Sequence, residues 1–227
     1  MDSITQFVLG SAIGQTLLGE KNKSKGALIG GLAGTLPDLD VITTIGTSVI
    51  NQLTDHRGVT HSIIFCLASP WFLAWLTKRY TSFKCSYRRW VMFWFLIFTT
   101  HILLDVMTSW GTQIFWPLPI RASLDSLFII DPLVTVPLII GCIVTKITSR
   151  LKATKVGLIC CSFYLIFATS THFWMVHQFK SVLNQRQVPY TKLIVRPTPF
   201  NTLFWGMTAR LSTDKLVMGY ARIWDKK

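Results

Sequence analysis

Trp90-Val91-Met92-Phe93-Trp94-Phe95-Leu96-Ile97-Phe98-Thr99-Thr100-His101-Ile102-Leu103-Leu104-Asp105-Val106-Met107-Thr108 is the stretch that decides the fold. At ~1.5 Å per residue, a helix of this length covers nearly the ~30 Å of hydrocarbon in a bilayer. His101 and Asp105 stand at i and i+4, so they share one helix face, and Thr108 continues it. Ionisable groups inside an apolar helix are costly and turn toward protein, a partner or water. This helix therefore needs neighbours with polar groups at its C-terminal end.

Composition places those neighbours in a membrane. Half of the 227 residues are hydrophobic, with 9 Trp and 15 Phe, and the mean hydropathy is positive. A water-soluble domain of this length rarely looks so apolar. The net charge of +13 sits mainly in loops and in the C-terminal tail. That pattern fits the positive-inside bias and anionic head groups, so membrane lipids are the expected partners. No nucleic-acid motif is present, and nucleic acid is not expected as a partner. Cys66, Cys85, Cys142, Cys160 and Cys161 form no CxxC pair and read as small buried hydrophobes. The segment Met1-Asp2-Ser3 lacks a basic start, so insertion is expected to rely on the membrane helices.

Upstream, residues 62–77 form a shorter apolar run interrupted by Pro70, and a basic loop (Lys78, Arg79, Lys84, Arg88, Arg89) leads into the deciding helix. Residues 4–19 and 26–36 are apolar and glycine-rich, with Gly26, Gly30 and Gly34 at four-residue spacing. Small residues so spaced let helices approach closely in lipid, and the two runs are read as a tight hairpin ended by Pro37. Residues 41–59 form a mixed connection. Downstream, 109–126 is a loop with Gly111, Pro117 and Pro119, and 127–145 and 156–176 are further spans around the basic loop Lys146, Arg150, Lys152 and Lys155.

The tail has another character. Lys192–Val195, Leu203–Leu211 and Leu216–Trp224 are strand-like, with a turn at Ser212–Lys215. The expected architecture is mainly α. It is a polytopic membrane bundle of about four long or near-spanning helices plus the short hairpin (residues 1–179), with a small C-terminal antiparallel β-meander (180–227). Placing Lys21, Lys23, Lys25 and the two basic loops in the cytoplasm puts Asp38, Asp40, His56, His61 and Asp105 at the other face.

Those residues belong to three segments: Pro37-Asp38-Leu39-Asp40, His56-Arg57-Gly58-Val59-Thr60-His61-Ser62 and His101–Asp105. Singly, each has an ordinary explanation. Asp38 or Asp40 can cap a helix, His56 and His61 can be interfacial, and His101 with Asp105 can bridge helices. Together they offer three imidazoles and three carboxylates, the usual ligands of zinc or manganese and enough for one or two ions. Two such ions suit phosphoester or ester hydrolysis. The candidate ligands are His56, His61, His101, Asp105, Asp38 and Asp40. Asp38, Asp105 and Arg57 are the candidate catalytic residues, Arg57 as a bidentate clamp on a phosphate oxygen or as a lipid head-group contact. Gln6, Thr108, Asp125 and Asp131 are candidates to orient the ligands from behind. GxSxG, Walker and HExxH motifs are absent, which leaves Ser or Cys nucleophile chemistry without support.

Met1–Gln6, Gly34–Asp40, His56–Ser62 and His101–Asp105 resemble the YdjM-type family, as do Leu124-Asp125, Ile130-Asp131-Pro132 and Pro197–Asn201. The resemblance covers nearly the whole chain and is most specific at His56–Ser62. Members are bacterial inner-membrane proteins described as predicted metal-dependent hydrolases, distantly similar to zinc-dependent phospholipase C and P1-type nucleases. Some relatives carry a histidine where this chain has Gln6, which bears on the number of metals. The resemblance implies a multi-pass inner-membrane protein with a helical metal site.

The expected function is hydrolysis of a phosphoester or other ester, a lipid above all, by a metal-bound hydroxide at the non-cytoplasmic face. The alternatives are a metal or proton transporter and a non-catalytic scaffold stabilised by metal. A transporter would place titratable groups at mid-membrane within inverted repeats.

Overall fold

The computed structural model describes residues 1–19, 23–44, 46, 57–81, 83 and 85–225. Helices α1 (Ser3–Leu17), α2 (Lys23–Thr35), α3 (Ile63–Tyr80), α4 (Tyr87–Met107), α5 (Pro132–Thr148) and α6 (Lys152–Gln185) are followed by strands β1 (Tyr190–Pro197), β2 (Phe204–Leu211) and β3 (Leu216–Arg222). Two short 3-10 segments, Pro37–Thr44 and Val59–His61, lie between α2 and α3. The local sequence explains where helices start. Asp2, Ser62, Ser86 and Asp131 each accept an amide of the first turn, and Pro132 follows Asp131 where a missing N–H costs nothing.

The hairpin of α1 and α2 packs backbone on backbone. A methyl group built on Gly10 would lie 2.2 Å from the carbonyl oxygen of Gly30, and one on Gly14 2.2 Å from that of Gly26. Only glycine permits that approach. Polar staples then tie α1 to α5 and α6. The hydroxyls of Thr5 and Thr135 are 2.6 Å apart. Gln15 donates to the Cys142 carbonyl and accepts from Thr154. Trp90, Phe93, Ile97 and Phe98 on α4 fill the centre of the core.

Among the described residues, two helices, α4 and α6, are long and apolar enough to cross a membrane. The sequence expectation was about four long or near-spanning helices. At 17 residues α5 is shorter, and the last turn of α3 carries Lys78 and Arg79. α6 also differs from the expected 156–176 span. It has 34 residues, ~51 Å at 1.5 Å per residue, and runs unbroken through position 179 to Gln185. Its last turns present Met175, Phe179 and Leu183 to Val195, Trp205, Met207 and Ala209 of the sheet. The order is β1-β2-β3, antiparallel throughout. The expected boundary near residue 180 therefore falls inside a helix that serves both parts. Trp205 is fully buried at the contact. Trp205→Ala should destabilise the sheet by about 3–5 kcal/mol, seen as faster hydrogen exchange in β1–β3 with α4 unchanged.

Candidate metal centre

Three chain segments converge where α1 and α5 begin and α2 and α4 end. The C-terminal turn of α4 brings His101 and Asp105 inward, both at most 1% exposed. The 3-10 turn after α2 brings Asp38. The short turn before α3 brings His61, which is fully buried. One oxygen of each Asp and one ring nitrogen of each His lie within 4.8 Å of one another. The His61 and His101 Nε2 atoms are 3.1 Å apart. Asp38 Oδ1 stands 3.6 Å and 3.5 Å from them, and Asp105 Oδ2 3.3 Å and 3.8 Å.

These separations fit a small divalent ion. Ligands at ~2.0–2.1 Å in a tetrahedron around zinc lie ~3.3 Å from each other. Tautomers agree. His101 Nδ1 is 2.8 Å from the Gly34 carbonyl, which only accepts, so the neutral ring turns the Nε2 lone pair inward. Behind His61, Asp40 accepts from the Thr60 hydroxyl, and Thr60 Oγ1 is 3.0 Å from His61 Nδ1. At this distance the two Nε2 atoms can share either a proton or a metal ion. Asp105 Oδ2 is buried, 3.3 Å from His61 Nε2 and 3.4 Å from Arg57 Nε without a well-aligned hydrogen bond, which leaves it a lone pair to offer an ion.

The site demands positive charge in either state. Burial pushes His61 down, but the neighbouring carboxylates of Asp105, Asp38 and Asp40 outweigh it and raise its pKa to about 10. Burial also pushes the Asp38 carboxyl up, yet the adjoining His101 and His61 rings hold it well below the usual carboxylate range. Without metal, a proton on His61 supplies the charge. A divalent ion displaces it.

The expected residues take different places. Asp40, expected as a ligand, stands behind His61, with Oδ2 3.3 Å from Nδ1, and also accepts the Arg57 amide. Asp40→Ala should lower metal affinity ~10–100-fold with the ligands intact, read by competitive titration with a chromophoric chelator. Arg57 has a left-handed backbone (φ 70). Its Nε lies 3.4 Å from Asp105 Oδ2, and its Nη1 is buried without a hydrogen bond. Gln6 donates to the His101 carbonyl and to Asp105 Oδ1. Thr108 caps α4 by donating to the Asp105 carbonyl. Asp125 and Asp131 are in other contacts: Asp125 pairs with Arg196 at 3.1 Å, while Asp131 caps α5 and accepts from the Tyr164 hydroxyl. These two carboxylates pin the loop to the sheet and α5 to α6. His56 lies outside the described residues. Among the described residues one metal-capable group is present, so a second ion has no described donor set.

Sequence reasoning missed three partners. The ammonium of Met1 pairs with Asp105 Oδ1, leaving Oδ2 for the ion. The Gly34 carbonyl sets the His101 tautomer, and Thr60 sets His61. Thr60 lay within the motif already singled out. Backbone groups such as the other two carry no side-chain signal.

Fold and site together define a helical membrane protein with a buried Asp2His2 centre at the end of its bundle. The chain belongs to the YdjM inner membrane protein family, whose profile matches residues 1–175 and so includes all four donors. It is also similar to "Inner membrane protein YbcI" of Escherichia coli (strain K12), with 30% identity over 84 residues. That match covers 37% of this chain and 47% of the relative, so the chain matches about half that protein's length. No solved structure matches significantly. Family and relative alike are inner membrane proteins.

Proposed function

We propose that this chain is a multi-pass inner-membrane hydrolase that uses one divalent ion, zinc or manganese, to cleave a phosphoester or carboxylic ester carried by a lipid. The observation that carries the reading is the buried, unpartnered Arg57 Nη1 beside the Asp38–His61–His101–Asp105 cluster. The guanidinium faces Asp105 through Nε, and the Nη1 left without an acceptor is suited to an oxyanion of substrate. A divalent ion supplies Lewis acidity and acidifies water near neutral pH. The chain's own residues do the rest. Asp38 is the most accessible donor, its side chain 20% exposed, and marks the approach from solvent. Asp105 holds Arg57 in place, and Asp40 with Thr60 keeps His61 oriented.

A lipid substrate is favoured by the loop beside Arg57. Gln113 donates its amide to the Arg57 carbonyl, and the Ile63 amide binds the Ile114 carbonyl. The following residues Phe115, Trp116, Leu118 and Ile120 are all exposed. Aromatic and aliphatic groups so placed suit the interface between head groups and acyl chains. The basic loops at the opposite ends of the helices favour a non-cytoplasmic site.

A second reading is a metal-stabilised scaffold. Four protein donors make a closed set, which is usual in structural zinc sites. Assaying metal-loaded protein on phosphodiester and lipid ester substrates separates the two. Turnover that Arg57→Lys reduces while metal content holds supports the hydrolase. Metal-dependent thermal stability with no turnover on any ester supports the scaffold.

A further inference from the structure

A second site lies at the other end of the bundle, away from the metal centre. α5 and α6 cross closely through Gly141 and Gly157: a methyl on Gly141 would meet the Ala153 carbonyl at 2.9 Å, and one on Gly157 the Pro137 carbonyl at 2.7 Å. The outer side of this crossing is an open groove of about 570 Å³. Its walls are Ile140, Val144, Ala153, Val156 and Cys160, and its mouth is formed by Arg150 and Lys152. Ile140, Val144 and Val156 are 56%, 38% and 48% exposed. Such a face is unfavourable in water and natural against acyl chains.

The charge at the mouth has one sign. Arg150 and Lys152 are exposed, and Lys146 and Lys155 stand within one turn of them. Among the described residues no carboxylate pairs with any of the four, and the ion pairs described lie elsewhere. Leu151 gives α6 no side-chain cap. The first-turn amides of Lys152 and Ala153 have no intrahelical partner, so the positive end of a 34-residue helix adds to the two cations. An apolar trough that opens under a cluster of cations has the polarity of an anionic phospholipid, head group outward and chain inward.

We propose that the α5–α6 groove is a specific binding site for an anionic phospholipid, whose phosphate is held by Arg150 and Lys152 and whose acyl chain lies between Val144 and Val156. The site is independent of the metal centre and of the hydrolase reading. By tying the α5–α6 turn to the leaflet opposite the metal centre, the lipid fixes the depth of the bundle in the bilayer. Free phosphate would fill only the mouth, and a second copy of the chain would fill only the groove.

Native mass spectrometry of the full chain in detergent tests this, with added dioleoylphosphatidylglycerol or dioleoylphosphatidylcholine. Wild-type protein should retain one phosphatidylglycerol under activation that strips phosphatidylcholine. At ~1 kcal/mol per cation, the double variant Arg150→Gln with Lys152→Gln should bind it on the order of 30-fold more weakly. Val144→Trp, which fills the groove from an exposed position without touching the charges, should also lose it. Unchanged metal content and circular dichroism report that both variants are folded. Equal retention of the two lipids, or unchanged phosphatidylglycerol in the variants, overturns the proposal. So does competition by glycerol phosphate as strong as by intact lipid. A dimer that Val144→Trp dissociates, with no lipid retained, assigns the groove to a second copy and overturns it equally.

Discussion

His61→Ala and Asp105→Asn should each lower divalent-metal affinity by more than 100-fold. Zinc held by four protein donors contributes ~10–16 kcal/mol of binding free energy, so one ligand accounts for about 3 kcal/mol, which is over two decades in Kd. The two substitutions act differently. His61→Ala removes the Nε2 donor that lies 3.1 Å from its His101 counterpart and leaves Asp40 and Thr60 without the ring they orient. Asp105→Asn keeps the shape but removes the charge facing His61, His101 and Arg57, all within 4 Å of Oδ2. It also leaves the Met1 ammonium and the Arg57 guanidinium buried without their carboxylate. Asp105→Asn should therefore also unfold at lower temperature without metal, because an unpaired buried charge costs about 3–5 kcal/mol. Isothermal titration with zinc and a thermal melt of the metal-free protein read the two effects. Wild-type affinity in either variant would exclude that residue as a ligand.

Gly30→Ala should weaken both the fold and the metal centre, although Gly30 touches no ligand. A methyl group there would sit 2.1 Å from the Gly10 carbonyl oxygen and 2.8 Å from the Gly14 Cα. Both obstacles are backbone, so no side chain can turn aside, and α1 and α2 must separate. Overpacking of this kind costs about 1–3 kcal/mol. The displacement has a second consequence. One turn on from Gly30, the Gly34 carbonyl holds His101 Nδ1 at 2.8 Å. Loss of such an orienting bond costs ~10–100-fold in metal affinity. Gly30→Ala should lower the melting temperature and the zinc affinity together. Leu28→Ala, an exposed position on the same helix, should change neither. A variant that melts early but binds zinc normally would separate the hairpin from the centre.

Much of this is legible in the sequence. His101 and Asp105 at i and i+4 could only share a face of one apolar helix, and glycines at four-residue spacing read directly as a close hairpin. The strands were found because alternation and turn residues are local signals. What the sequence hid depends on distant partners. Asp131 and Asp125 look like any other carboxylates near an apolar run, yet Tyr164 and Arg196, far along the chain, claim them. Asp38 and Asp40 lie two residues apart, and only the three-dimensional position of His61 makes one face the donor cluster and the other stand behind it. The length of α6 was hidden for a related reason. Its hydropathy falls after residue 176, but the helix continues because Phe179 and Leu183 are buried by a sheet formed later in the sequence.

X-ray absorption at the zinc edge of the purified full-length chain tests the centre most directly. The account predicts one ion per chain, with two imidazole nitrogens and two carboxylate oxygens at ~2.0–2.2 Å, and loss of one imidazole in His61→Ala. A metal-free protein that takes up no zinc or manganese on titration would contradict it, as would a first shell containing sulfur at ~2.3 Å.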